Sequence, residues 1–490
     1  MNDPFSRLAA VTLALLLALL GVGHLLRSLG HVQAAAALPT ATFTVNNLND
    51  SGAGSLRQAI LNANATAGAD VIQMTAVGTI QLLSALPLIN EAVTIQGPGM
   101  AQLAVAGGSG FRVLESTAVP LTITDLTVQN GAPANDTGGG IRSLGTLTLT
   151  NVAVLSNTSP VGGGGVYVAG ESWIVNGRFT NNRSLGSMGG GLLAESRTLI
   201  TGTHFISNTS AAQGGGALVS VASVLRDVHF EHNRSLFANG GGLYASGIVT
   251  LVNASVISNT AFGDGGGMLA FGQANVYSSR FIDNVCADQG GGMYVGSLLT
   301  VKQSAFVGNQ GGRGGAIFHN ALNGLLENSL FAENTAATAG DQLFLNTTSS
   351  VTLNYVTAVG TTGGMGTGIH ISNADLLITN TIVASHTVGL NNLNGSTTQD
   401  YNLFFGNGTD IQGAASGGAH NAAGNPRFVN PAAANYHLRH DSAAIDAGSD
   451  TGLLVDYDGE IRPRDNGFDI GFDEGSLQPL QEVYLPLVTR

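Results

Sequence analysis

The run DVHFEH carries Asp227, His229 and Glu231 at alternate positions, so an extended strand would send all three to one face. A base flanked by two carboxylates is equipment for acid–base chemistry. A hydrolase needs two carboxyls roughly 5 to 10 Å apart, and a lyase needs a base together with a cation beside the developing negative charge. The cations have a pattern too: Arg178, His204, His229, Ser255 and Arg280 each stand four residues before an asparagine, at steps of 25 or 26. Stacked strands would place His204 within about 5 Å of His229. Ordinary polar surface is the competing account, since a chain with eleven histidines will align two by chance.

A second group is acidic. Asp456, Asp458, Asp465, Asp469, Asp473 and Glu474 crowd one short stretch, and hard oxygen ligands at that density suit calcium. The calcium candidates are Asp456, Asp458, Asp469 and Asp473. The D-x-[DN]-x-[DN]-G loop is incomplete, because glycine follows the second Asp directly, so salt bridges to Arg462 and Arg464 are the plainer expectation. No other cofactor is expected.

What must position these groups is a repeat. The last glycine of each triplet falls at Gly140, Gly165, Gly191, Gly216, Gly242, Gly267, Gly292 and, in shortened form, Gly315. Asn157, Asn182, Asn208, Asn233, Asn259, Asn284, Asn309 and Asn334 keep the same step, each with Phe or Val three residues earlier. Short runs such as LTLT, VTLV and LTVK between turn residues read as strands, not helices. The period therefore predicts coils of three short strands, about 13 coils and about 60 Å in all at one strand spacing per coil. The apolar residues would form inner columns. The asparagines would sit in turns and bond along the stack, and the glycines would make tight or left-handed corners. Gln213, Asn239, Asp264 and Gln289 form a further column expected to bond along itself. Cys286 occupies the slot held elsewhere by Ser184, Ser210 or Ala261, which reads as a small space-filler instead of a nucleophile.

Composition agrees. Glycine supplies 70 of 490 residues and charged residues only 10%, about twice and less than half their usual shares of roughly 7% and 25%. With 43% apolar residues the chain can bury a long core. A net charge of −13 and a single Lys, Lys302, leave no basic footprint for nucleic acid. One cysteine excludes an internal disulfide, so packing and backbone bonding must hold the fold.

The paired markers FISN, FEHN, FIDN, FVGN and FAEN with GGAI resemble the repeats of the polymorphic outer-membrane protein family over roughly residues 125–360. The resemblance implies an all-β, right-handed parallel β-helix, a pectin-lyase-like solenoid, with a short N-terminal capping helix. FTVNNLNDSGAGSLRQAI is similar to the CSLREA-type segment that opens many secreted β-helix proteins, with Gly54 in place of its cysteine. In SLRQAILNANA, Ser55 and Gln58 form a capping box, and Leu56, Ala59, Ile60 and Ala63 share one face. The segment from NPRFVNPAAANYHLRHDSAAIDAG to FDIGFDEG resembles the choice-of-anchor Q domain of bacterial surface proteins, with Ala443 where that pattern has proline. This implies surface display.

Arg7 followed by a 19-residue apolar run and AAAALPTA has the order of a secretory signal, while an uncleaved anchor is the alternative and the one route to a membrane. The expected division is 1–37 signal or anchor, 38–70 cap, 71–415 β-helix, 416–476 anchor-like segment and 477–490 tail. The expected function is that of a secreted or cell-surface scaffold, adhesin-like or contacting a polysaccharide or cell-surface glycan. The alternative is a polysaccharide lyase or glycoside hydrolase on the outer face, with Arg178, His204, Asp227, His229, Glu231 and Arg280 as candidates. A calcium-stabilised spacer is the third reading.

Overall fold

A computed structural model describes residues 41–361 and 366–476. The expected leader at 1–37 and tail at 477–490 lie outside the described residues. Among those described, no helix is long and apolar enough to cross a membrane.

The chain winds into an all-β parallel solenoid of about 15 turns, two more than the repeat predicts. The extra turns come from the ends, where the glycine and asparagine markers are missing but the ladder continues. Thr42–Val45 already pairs in parallel with Asp70–Met74, and Thr398 and Gln399 still pair with Ser416 and Gly417. At about 4.8 Å per rung the stack is about 70 Å long.

One coil shows how the repeat is read. Ser223–Arg226, His229–Glu231, Arg234–Ser235 and Leu243–Ala245 are its strands, and each pairs with the equivalent strand of the next coil. This coil thus has four short strands where three were expected. The additional break is at Asp227, whose φ of +52° is left-handed and bends what the sequence reads as one strand. Asn176, Gly202, Asn253 and Ser278 hold the same angle in neighbouring coils.

Inside, Phe179 stacks on Phe205 at 4.7 Å, Phe205 on Phe230 at 4.8 Å and Phe281 on Phe306 at 4.7 Å between ring centres. All belong to one continuous core. The asparagine column is buried beside them: Asn208 Nδ2 donates to Asn233 Oδ1 at 3.0 Å and to the Phe179 carbonyl at 2.9 Å. These asparagines are not the turn residues; the left-handed angle falls one place earlier, as at Ser207 and His232. The first glycine of a triplet takes a left-handed angle, as Gly214 does at φ +68°. A Cβ on the third, Gly216, would lie 2.9 Å from the Phe230 ring and 3.0 Å from Asn233 Cγ. Glycine, phenylalanine and asparagine share a period because each fills the space the others leave.

The helix Leu56–Asn64 starts at Ser55, whose side chain accepts from the Gln58 N–H at 3.2 Å. Its buried face, Leu56, Ala59, Ile60 and Ala63, joins Val45 and Ile72 at the first rungs. Cys286 is buried beside Gly311, and burial pushes its thiol up to about 12. The Asn239 column bonds along the stack through backbone, not side chain to side chain: Asn239 Oδ1 accepts from the Asp264 N–H at 2.8 Å and Asp264 Oδ1 from the Gln289 N–H at 3.0 Å.

After the last coils the chain turns back. The antiparallel pair Phe428–Asn430 and Asn435–Leu438 brings Ala434, Tyr436 and Phe472 against Ile282, Ala305, Val307, Leu330 and Ala332 on the outside of the solenoid. Kink residues hold this segment by its backbone: Gln303 donates to the Asp456 carbonyl at 3.1 Å, Asn328 to Val455 at 2.7 Å and Tyr355 to Ser449 at 2.6 Å.

Candidate functional site

The outward row is built by register. Arg178 pairs with His204, His204 with His229, His229 with Ser255 and Ser255 with Arg280, each across one rung. Strand alternation around the inward Phe205 and Phe230 turns the flanking side chains out. The His204 and His229 ring centres are 5.4 Å apart, as the spacing predicts.

His229 Nε2 lies 3.0 Å from Glu231 Oε2, and His232 Nε2 is 3.6 Å from Glu231 Oε1. The hydrogen bond from His229 is the main reason the Glu231 carboxyl sits below its ordinary range, with the nearby histidine charges adding to it. Partial burial holds His204 below the usual imidazole value, and His229 and Arg178 push the same way. The surroundings of the row thus favour the neutral form of His204 and the ionised form of Glu231. Arg178 Nε reaches Thr180 at 3.3 Å, and Arg280 Nε donates to Ser255 Oγ at 2.9 Å.

Asp227 departs from the expected arrangement. Its left-handed angle places it in the kink, outside the strand His229–Glu231. There it accepts from Asn253 Nδ2 at 2.6 Å, in the same style as Asp125 from Asn151 and Asn151 from Asn176. Asp227 belongs to a polar ladder that ties coils together, so the expected pair of carboxyls on one strand is not formed.

The row ends where the returning segment begins. Beyond Arg280 its equivalents are Ala305 and Leu330, which are covered. Tyr457 stands at this border; burial raises its hydroxyl to about 12, Asp458 adds to the rise and the charge of Arg280 opposes it. The sequence held a signal for this cover. The outward positions after the core Phe or Val residues run Leu155, Thr180, Ile206 and Glu231 and then Ile257, Ile282, Val307 and Ala332, and the last four are an unbroken run of apolar side chains that open water does not favour.

A groove of about 1130 Å³ separates the returning segment from the last coils, lined by Glu333, Ser385, Phe405, Arg427, Phe428 and Arg439 among others. Tyr436 donates to Glu333 Oε1 at 2.9 Å across it. One wall of this groove is the stretch NPRFVNPAAANYHLR, and the other comes from successive coils between residues 333 and 408, so only the fold brings the two together.

The acidic candidates divide. Asp469 belongs to one network, in which its Oδ1 accepts from the Asp446 N–H at 2.8 Å and burial, reinforced by Glu474, lifts its carboxyl to about 8. Glu474 pairs with the buried Arg462 at 2.6 Å, and Arg462 stacks over Tyr355 at 4.1 Å. Arg464 pairs with Glu460 at 2.6 Å, so both arginines find acidic partners as expected. Asp456, Asp458 and Asp473 gather elsewhere, with His437 and Glu460. Asp456 accepts from the Asp458, Glu460 and Glu474 N–H groups at 2.7 to 3.0 Å and so shapes the turn.

No curated protein matches the chain in sequence. Among solved structures it is similar to the A-module of the mannuronan C-5 epimerase AlgE6 from Azotobacter vinelandii, at 13% identity and a TM-score of 0.32, over 78% of this chain and 97% of that one. It is also similar to the catalytic unit of a thermostable GH87 α-1,3-glucanase from Streptomyces thermodiastaticus, at 12% identity and a TM-score of 0.29, over 79% and 71%. Residues 109–281, which hold the whole row from Arg178 to Arg280, match the family described as "Right handed beta helix region". The chain is an all-β parallel solenoid with a right-handed β-helix domain.

Proposed function

We propose that the protein is an exported, cell-surface or secreted scaffold that holds a polysaccharide along its outer row without cleaving it. On this reading residues 1–37 direct export, 38–70 cap the solenoid and 416–476 serve surface display.

The observation that carries the proposal is how the carboxylates of the row are bonded. Glu231 is its carboxylate, and that group is already bonded to His229 at 3.0 Å, while Asp227 is spent on Asn253. Hydrolysis of a glycosidic bond calls for one carboxyl to give a proton while another attacks or activates water. Among the described residues the row offers Glu231 no second carboxyl. What remains is a line of donors and acceptors, Arg178, His204, His229 and Arg280, one per coil, and a coil rises by close to the length of one sugar ring. Such a line suits hydroxyl groups and acidic substituents of a glycan lying along the axis.

The test is a panel of neutral and acidic polysaccharides scored for retention and for soluble product. Retention without product, weakened by R280A and H229A, supports the scaffold. Soluble oligosaccharide whose release stops in the same variants supports the lyase or hydrolase in its place.

A further inference from the structure

The returning segment contains a group the glycan reading does not use. Asp473 is 1% exposed, and although its Oδ2 accepts from the Leu438 N–H at 2.6 Å, its Oδ1 is buried without a hydrogen-bond partner. A buried carboxylate oxygen left bare is costly unless a positive charge meets it. Ligand atoms of Asp473, Asp458 and His437 all lie within 4.8 Å of one another, and so do those of Asp473, Asp456 and Glu460. Four carboxylates therefore converge; Arg464 pairs with one of them, Glu460, and Arg462 is taken by Glu474, so Asp456, Asp458 and Asp473 are left without an arginine salt bridge.

We infer that His437, Asp458 and Asp473 form a binding site for one divalent cation, which staples the returning segment together. The three residues come from the strand Asn435–Leu438, the turn after Val455 and the stretch following Gly471, so one ion would cross-link parts of the segment that share few backbone bonds. His437 is oriented for the task. Its Nδ1 is held by Asn435 Oδ1 at 2.7 Å, and its Nε2 faces Asp458 Oδ2 at 2.7 Å. A ring whose outer nitrogen is fixed by a second hydrogen bond is how proteins commonly present a metal-binding histidine. Asp458 is exposed, which gives an ion and its displaced proton a path to solvent. Asp456 is occupied by backbone N–H groups and stays a second neighbour.

The donor set selects the ion. One imidazole with two carboxylates suits zinc or manganese better than calcium, which prefers six to eight oxygens. Asp469, a calcium candidate by sequence, is in neither of the groups of converging ligand atoms found among the described residues.

Chelator-treated protein titrated calorimetrically with zinc, manganese and calcium, with melting followed in parallel, tests the site. One zinc or manganese ion per chain, a raised melting temperature and a loss of affinity greater than about tenfold in H437Q, D458N and D473N, with D469N unaffected, is the expected result. D458N alters an exposed group and keeps the test valid if D473N fails to fold. Failure of the native protein to bind any of the three ions overturns the site, as does binding that H437Q and D458N leave unchanged. Neither result bears on the glycan row.

Discussion

Asn208 and Asn233 lie one coil apart and share a single oxygen: Asn233 Oδ1 accepts from both the Asn208 backbone N–H and the Asn208 Nδ2, each at 3.0 Å. The pattern repeats from Asn157 to Asn334, where the last amide passes to Gln342 Oε1 at 2.6 Å. Every member is buried, so the column works only while it is unbroken.

Asn233→Ala should therefore cost more than an ordinary polar truncation. It strands the Asn208 N–H and one Nδ2 hydrogen, and removes the donor to the Phe205 carbonyl at 2.8 Å. A loss of about 2–4 kcal/mol is expected from buried groups left unsatisfied, read as a lower urea midpoint.

Two phenylalanines of the same coil should behave oppositely. Phe230 is fully buried between Phe205 and Val256, and Phe237 is 74% exposed. Phe230→Ala should cost about 3–5 kcal/mol, and Phe237→Ala should stay within about 0.5 kcal/mol. Thermal melting of both variants beside the native chain makes the comparison.

Cys286 should be silent toward thiol reagents in the native state. Burial raises its thiol to about 12 and keeps it 5% exposed, so the thiolate that reacts is scarce. Labelling by iodoacetamide at pH 8 should appear only in denaturant; rapid labelling of the folded chain would contradict the buried slot.

The returning segment should lose stability as pH rises. Asp469 has its folded value lifted to about 8 by burial and by Glu474, with Asp473 contributing and Arg462 opposing. The folded state then holds a proton that the unfolded chain releases near pH 4, so stability falls across pH 4 to 8 and levels off above. Melting measured at pH 5 and pH 8 should show the decline, and D469N should flatten it.

The solenoid was legible because each marker answers to one physical need repeated at one interval: Phe230 to fill the core, Asn233 to satisfy backbone, Gly216 to leave both of them room. The kink was less so, since Asp227, Asn253 and Ser278 are chemically varied and their shared left-handed angle shows only in the backbone. That is why Asp227 was expected beside His229 and is found bonded to Asn253. The register of His204 on His229 followed directly from the period. The docking of the returning segment on the solenoid was not legible because its contacts, such as Asn328 to Val455, span more than a hundred residues, although the switch from Glu231 to Ile257, Ile282 and Val307 on the outer face recorded it. The split of the acidic candidates was likewise set by the fold of that segment, not by spacing.

The most direct test of the glycan reading is affinity as a function of oligosaccharide length, using the polymer retained in the panel. The row from Arg178 to Arg280 spans four rungs, about 19 Å at one strand spacing each. The account predicts affinity that climbs with each added sugar until that span is filled and then stops rising, with the oligosaccharide recovered intact. Affinity indifferent to length, or shorter chains accumulating during the measurement, would contradict it.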